Sequence, residues 1–294
     1  MATPGPDKPQ FAATISWQSV ACWSVLASLF LLLYASTLRG LFEDWWTDPD
    51  YSHGMIVPFI AVYIVFRSRE TLRKLPLEPT ALAAWAMILA SQFVFLCGYF
   101  GAEFFLQRSS MVIFLVGMIL LFLGWNYLRH LMLPLVLLEL CIPLPAVVMN
   151  QITLPLQLIA SSGSEVVLRS CGVAVYRTGN LLQMSQQTLN VGEACSGIRS
   201  LVSLVTMAVI MVSFVRIHWM ARIVFVASAA GVAIIANGLR VSGAGLLGYY
   251  VGQRFTVGYW HLLEGWVVFV VAFAMLALEL KLMERLGWGR TNAS

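Results

Sequence analysis

Long apolar segments separated by short polar ones form the main pattern of this 294-residue chain. A helix needs roughly 20 apolar residues to cross a hydrocarbon core about 30 Å thick, and many of the segments approach that length. We interpret as spans the segments 18–38, 55–70, 80–99, 109–125, 129–149, 197–215, 219–240 and 261–283. The pattern predicts an all-α polytopic membrane protein of about eight transmembrane helices. Seven is the alternative, because 55–70 is short and contains Pro58.

Composition supports a lipid environment and excludes two other classes of protein. Apolar residues make up 60% of the chain and charged residues 11%, against roughly 45–50% and 25% in soluble domains. The net charge is +4, but the basic residues form no cluster dense enough to bind a phosphate backbone. The five cysteines have no CxxC spacing. We therefore expect the bilayer as a partner, no nucleic acid, no metal and no cofactor.

The distribution of basic residues predicts the orientation. They concentrate after every second predicted span, whereas the first alternate connection is acidic, with Glu43, Asp44, Asp48 and Asp50. The basic residues concerned are Arg67, Arg69, Arg73, Lys74, Arg129, Arg216, Arg222, Lys281, Arg285 and Arg290. Because Lys and Arg favour cytoplasmic connections, both termini should lie in the cytoplasm. We divide the chain into a polar N-terminal tail (1–17), a membrane domain (18–283) and a C-terminal tail (284–294).

The longest predicted outer segment, 150–194, has two parts. Its 152–168 stretch is apolar with interspersed polar residues, which favours a helix lying at the membrane interface or re-entering the membrane. From 173 to 191 the alternating runs VAVYR and LLQMS are separated by Thr178, Gly179 and Asn180, and TLNV follows. This pattern predicts a β-hairpin with a third strand, and therefore a small extracytoplasmic cap.

Cys195 lies where the cap leads into the sixth predicted span, in the sequence GEACSGIRS. Free N–H groups and the helix dipole at a helix N-terminus favour the nucleophilic thiolate, and the same donors can hold an oxyanion. Two alternatives remain: Cys195 is a small buried apolar residue, or it forms a disulfide with Cys171.

Two further polar groups lie at predicted outer ends of spans. Asn237 and Arg240 are three residues apart on one helical face, and Arg240 either faces the bundle interior or extends to lipid headgroups. The glycines that follow, 238, 243, 245, 248 and 252, should let the backbone turn or approach closely. His261 opens the last span, where the helix dipole favours a neutral imidazole that can act as a base; the alternative is a histidine of an interfacial aromatic belt.

The predicted topology brings these groups to one membrane face. Cys195 begins an inward-running helix, Arg240 ends an outward-running one and His261 begins the next inward-running one. A thiolate, a basic imidazole and a cationic clamp form an acyl-transfer site.

The chain resembles the exosortase family of membrane cysteine transpeptidases, relatives of the archaeosortases, over about residues 20–283. The resemblance rests on ACSGIRS around Cys195, NGLRV around Arg240 and His261 followed by Gly265, with YSHGMIVP at 51–58 and PLP at 143–145 as further similarities. It implies that Cys195, Arg240 and His261 are catalytic.

The resemblance also implies a substrate and a location. The substrates would be exported proteins with a C-terminal PEP-CTERM-like sorting signal: a Pro-Glu-Pro-like motif, a transmembrane helix and a basic tail. The enzyme would cleave the signal and transfer the new C-terminus to a polysaccharide- or lipid-linked acceptor associated with exopolysaccharide production. It would lie in the bacterial inner membrane, with its active site facing the periplasm.

Secondary candidates and other functions remain open. Arg199 could pair with Glu264 or Glu139, Glu193 could orient His261, and His53 could cap a helix or contact substrate. Glycine-interrupted spans with a few charges are also typical of a transporter, and a non-catalytic scaffold of polysaccharide export is a third possibility.

Overall fold

A computed structural model describes residues 17–48, 51–185, 187–191, 197–215, 217–252 and 259–286, and this part is mostly helical with one small sheet. A short 3-10 helix, Ser52–Met55, precedes α2. The other elements, in chain order, are α1 (Trp17–Thr47), α2 (Val57–Arg67), α3 (Arg69–Leu72), α4 (Ala81–Phe100), α5 (Phe104–Phe122), α6 (Trp125–Leu140), α7 (Ala146–Ser170), β1 (Val175–Thr178), β2 (Leu181–Met184), β3 (Thr188–Asn190), α8 (Gly197–Ser213), α9 (Trp219–Tyr250) and α10 (Tyr259–Arg285).

Within the described residues, four helical segments are long and apolar enough to cross a membrane: Ala81–Phe100, Phe104–Phe122, Trp219–Tyr250 and Gly265–Arg285. They confirm a multi-pass membrane architecture, whereas the predicted count of eight spans is not confirmed. The second and sixth predicted spans correspond to apolar helices that are shorter than a full crossing, Ser52–Arg67 and Leu201–Ser213. The first predicted span lies within α1, which continues to Thr47.

The prediction of one continuous helix over the fifth span, 129–149, is wrong. Helix α6 ends at Leu140, and α7 begins at Ala146 after a break that contains Pro143 and Pro145. Proline has no backbone N–H to donate and disfavours helical geometry in the residue before it, so two prolines this close end the helix. The segment therefore contributes the start of the cap helix α7 as well as the end of α6.

Two other helices differ in length from the prediction. Helix α5 begins at Phe104 instead of 109, because the Glu103 carboxylate accepts a hydrogen bond from the Phe105 N–H and caps the helix. Helix α9 continues ten residues beyond the predicted end at 240. Its glycines therefore do not break it, and a turn follows only at Gly252, where φ is +122°.

The predicted cap is confirmed in its secondary structure. Helix α7 contains the whole 152–168 stretch, and the three strands form an antiparallel sheet in the order β1-β2-β3. Thr178 pairs with Leu181 across a two-residue turn, in which Gly179 has φ +63°. The sheet packs on α7 and α9 through buried apolar side chains from all three elements, among them Leu168, Leu182 and Val241.

Candidate functional site

Helices α8, α9 and α10 share one apolar core, which determines where the predicted site residues lie. Its buried members include Leu204 and Ala208 of α8, Phe225 and Ala229 of α9, and Leu276 of α10. Only residues 214–218 connect α8 to α9, so the two helices are antiparallel, and α9 and α10 pack against each other in the same way. The start of α8, the C-terminal half of α9 and the start of α10 therefore lie toward the same end of the core.

The side chain of Arg240 faces the bundle, in contact with α10. A Cβ built on Gly265 would lie 3.3 Å from Arg240 Nη2 and 3.4 Å from Cζ, so the guanidinium packs directly on the glycine backbone. Residues four apart on a helix share a face, and His261 is four residues before Gly265. The guanidinium thus lies one helical turn from the backbone of His261. The imidazole itself lies outside the described side chains.

Asn237 connects this level of α9 to the beginning of α8. Its side chain is buried, 4% exposed, and lines a crevice with Leu201 of α8, Leu156 of α7 and two neighbours on α9. Leu201 is four residues after Gly197, the first residue of α8, and Arg240 is three residues after Asn237. Because α8 and α9 are antiparallel, both steps lead toward the same end of the core, over about 6 Å in α8 and about 4.5 Å in α9. Cys195, two positions before Gly197, lies outside the described residues, so its place in the site stays a prediction.

The cap holds the chain as far as Val191, four residues before Cys195. Val191 is fully buried and its N–H donates to the Asn180 carbonyl, 3.0 Å away. The Asn180 amide donates in turn to Gln157 of α7. On the opposite side, the Ser164 hydroxyl of α7 donates to the Gly238 carbonyl of α9, two residues from Arg240. The cap therefore contacts the chain at Val191, four residues before Cys195, and the α9 backbone at Gly238, two residues before Arg240.

The YSHG segment packs beside α8. His53 Nδ1 lies 3.4 Å from the Ser203 hydroxyl, two helical turns beyond the start of α8. The Tyr51 hydroxyl accepts from the Leu144 N–H at the α6–α7 break. These contacts favour a role for His53 in joining helices. A substrate contact for His53 stays an untested prediction.

An ion pair that sequence reasoning missed joins α1 to α5. Arg108 is 5% exposed, and its Nη1 donates to Asp44 Oδ2 over 2.6 Å. The neighbouring Ser109 donates to Glu139 of α6, also at 2.6 Å. The signal in the sequence is a single arginine, Arg108, within an apolar stretch. The predicted span begins at 109, which places Arg108 in the preceding loop. Glu139, a candidate partner for Arg199 from the sequence, thus accepts a hydrogen bond from α5.

The other secondary candidates are only partly described. Glu193 lies outside the described residues, and Arg199 and Glu264 are described only by their helical backbone. Their predicted pairings stay predictions. Among the described residues, no group of three or more His, Cys, Asp or Glu side chains could hold a metal, and Cys171 is a free thiol.

A protein-family model described as transmembrane exosortase matches residues 45–278, which is well over half of the chain. The matched range contains α2 to α9 and most of α10, together with Cys195, Arg240 and His261. No curated protein and no solved structure matches the chain.

Proposed function

Because the chain belongs to the transmembrane exosortase family, we propose that it is a membrane-embedded cysteine peptidase and transpeptidase. Its substrates are exported proteins that end in a Pro-Glu-Pro-like motif, a transmembrane helix and a basic tail. It cleaves this signal on the outer face of the bacterial inner membrane. An acceptor nucleophile, linked to a polysaccharide or a lipid, then takes the new C-terminus.

One observation carries this proposal. Arg240 packs on Gly265, one helical turn from His261, at the same end of the three-helix core as the start of α8. An arginine at membrane depth costs roughly 2.5–3.5 kcal/mol on insertion scales. Extension of the side chain to lipid headgroups would recover much of that cost, yet this guanidinium is directed at the start of another helix. Such an orientation favours a functional role over a purely interfacial one.

The proposed reaction uses three groups. The Cys195 thiolate attacks the scissile carbonyl carbon, and His261 holds the thiol proton. Arg240 and the N–H groups at the start of α8 stabilise the oxyanion of the tetrahedral intermediate. The C–N bond then breaks, the leaving amine takes the proton from His261, and a thioester remains on Cys195. The acceptor nucleophile attacks that thioester and releases the thiol.

The length of α9 supports the outer placement of this site. Its 32 residues extend about 48 Å, whereas a hydrocarbon core is about 30 Å thick. Arg222 lies in the first turn of α9, as expected for a cytoplasmic end. About 20 residues from that end, the helix reaches Arg240. The remaining turns pack against the cap, where the Tyr250 hydroxyl donates to the Cys171 carbonyl.

Substitution of the thiol tests the proposal. A tagged exported protein with the three-part signal is co-expressed with the wild-type chain, with Cys195→Ala or with Cys195→Ser. Loss of processing in both variants, at wild-type abundance in the membrane, supports the peptidase. Full processing by Cys195→Ala would reject it and leave a transporter or a scaffold as the function.

A further inference from the structure

A cleft lies on the surface of the cap, between helix α7 and strand β1. Its volume is about 600 Å³, within the roughly 300–1,000 Å³ of small-molecule sites. The cleft is lined by four exposed residues of α7 and by one basic residue of β1: Leu158, Ile159, Ser162, Gly163 and Arg177. A Cβ built on Gly163 would meet nothing within 4 Å. The cleft therefore has room for a ligand.

Arg177 is held in one orientation at the edge of this cleft. Its Nε donates to the Glu165 carboxylate over 2.8 Å, and its Nη1 donates to the Gly179 carbonyl over 3.2 Å. Glu165 also pairs with Arg169, so two arginines and one carboxylate leave a net positive charge. The third nitrogen of Arg177, Nη2, makes no hydrogen bond to a residue that the structure describes, and the side chain is 31% exposed. Arg177 is therefore preorganised to bind an anion.

The depth of the cleft in the membrane follows from its contact with α9. The hydroxyl of Ser164, the residue after Gly163, donates to the Gly238 carbonyl. Gly238 is 19 residues after Trp219, the first residue of α9, which corresponds to about 28 Å of helix. In the proposed orientation, α9 begins at the cytoplasmic boundary of a hydrocarbon core about 30 Å thick. The cleft then lies at the level of the outer lipid phosphates.

Apolar side chains flank the guanidinium on the exposed face of α7. Leu158 and Ile159 in the cleft are 39% and 53% exposed, and Leu154 and Val166 on the same helix are exposed as well. Exposed aliphatic side chains at this depth face acyl chains, as they do on helices that lie at a membrane interface. A ligand with a phosphate and apolar chains matches both parts of the cleft, whereas an acidic peptide side chain would match the arginine alone.

We propose that this cleft binds the phosphate headgroup of a bilayer phospholipid. Nη2 of Arg177 donates to a phosphate oxygen, and the Ser162 hydroxyl in the same cleft supplies a second donor. The acyl chains lie against Leu158 and Ile159. The bound lipid anchors the cap to the outer leaflet. This inference concerns the cap and its place in the membrane, and it holds whether or not Cys195 is a nucleophile.

The test compares two cleft variants with a matched control. Arg177→Gln removes the guanidinium. Gly163→Leu fills the cleft without touching the ion pairs, and it should fold normally because its Cβ has space and leucine favours a helix. Arg169→Gln is the control, because Arg169 pairs with the same carboxylate but does not line the cleft. Native mass spectrometry of the full chain in detergent measures the affinity for the first phosphatidylglycerol bound. Diacylglycerol with the same acyl chains and inorganic phosphate are the comparison ligands.

The wild-type chain should bind phosphatidylglycerol at least tenfold more tightly than diacylglycerol. Arg177→Gln and Gly163→Leu should each weaken that binding about fivefold to tenfold, while Arg169→Gln keeps the wild-type affinity. Thermal unfolding of each variant checks that it folds.

Three results would overturn the inference. Wild-type affinity in both cleft variants would show that the lipid binds elsewhere. An equal loss in Arg169→Gln would show a general effect of charge, and displacement of the lipid by an equal concentration of inorganic phosphate would make the site one for the free anion. A raised KM for the three-part signal in Arg177→Gln, with lipid affinity unchanged, would assign the cleft to the peptide instead. Lipid affinity is measured without cleavage, so failure of the peptidase proposal would leave this result standing.

Discussion

The guanidinium of Arg240 lies against the backbone of Gly265. A Cβ on Gly265 would be 3.3 Å from Nη2, closer than an ordinary van der Waals contact, and 3.4 Å from Cζ. The atoms that would have to move are at the far end of a flexible side chain. A methyl group there should therefore displace the guanidinium without unfolding the helix pair.

Gly265→Ala should lower the rate of signal cleavage about tenfold while the protein stays as stable as the wild type. A displacement of 1 Å in a catalytic group can cost about 100-fold, and this one amounts to a few tenths of an ångström. Gly231→Ala of α9 is the matched control, because its Cβ would meet nothing within 4 Å. Equal rates for wild type and Gly265→Ala would show that the position of Arg240 does not matter for cleavage.

Arg240→Lys should lose about 100-fold or more in kcat although it keeps the positive charge. Lysine has no planar fork of donors and cannot present two N–H groups at once to an oxyanion. Single-turnover cleavage by the purified variant measures the effect, with circular dichroism as the control for folding. A lysine variant with nearly full activity would indicate that Arg240 supplies only charge.

The ion pair between Asp44 and Arg108 should stabilise the protein. Asp44→Asn leaves the 5%-exposed Arg108 without its counter-charge and should lower the free energy of unfolding by about 2 kcal/mol. This is less than the roughly 3–5 kcal/mol of a fully buried pair, because the Asp44 side chain is 42% exposed. Thermal unfolding in detergent measures it.

Two further variants make this test specific. Addition of Arg108→Met to Asp44→Asn should restore most of the lost stability, since no buried charge then remains. Removal of the exposed Arg39–Glu43 pair by Arg39→Ala should cost only about 0.5 kcal/mol. If Asp44→Asn behaved like Arg39→Ala, the Arg108 pair would contribute no more than a surface pair.

Gly54→Ala should destabilise the contact between α1 and the α6–α7 break. A Cβ on Gly54 would overlap the indole of Trp45, which donates from Nε1 to the Cys141 carbonyl at 2.8 Å. Displacement of the indole breaks that hydrogen bond and disturbs the packing, at an expected cost of about 1–3 kcal/mol. The measurement is the thermal unfolding of Gly54→Ala, with Gly231→Ala as the control. Identical unfolding temperatures would contradict the packing described.

Local patterns in the sequence predicted the cap well. Period-two alternation and the turn residues Gly179 and Asn180 depend only on neighbouring strands. They therefore predict the hairpin without information about the rest of the fold. Helix ends were harder to predict. The length of an apolar run, taken alone, predicts one span that continues across Pro143 and Pro145. It also predicts that α9 ends at Arg240, although the turns that follow pack against the cap.

The site depended more on tertiary contacts. The sequence could indicate that Arg240 and the first residues of α10 belong to one membrane face, because topology follows from the order of spans. It could not indicate that Arg240 packs on Gly265, or that Asn237 lines an apolar crevice with Leu201. Those relations depend on how three helices pack, and no periodicity within one helix encodes that packing. The Asp44–Arg108 pair, which joins residues 64 positions apart, was missed for the same reason.

On the proposed mechanism, Cys195 forms a covalent acyl-enzyme at the end of the three-helix core where Arg240 lies. To detect it, the purified chain is incubated with the three-part substrate, quenched with acid, digested and analysed by mass spectrometry. We predict a hydroxylamine-sensitive thioester on Cys195 that joins it to the new C-terminus of the substrate. The adduct should be absent from Cys195→Ala and strongly reduced in Arg240→Lys. Cleavage of the substrate with no adduct on Cys195, or with an adduct on another cysteine, would contradict the account.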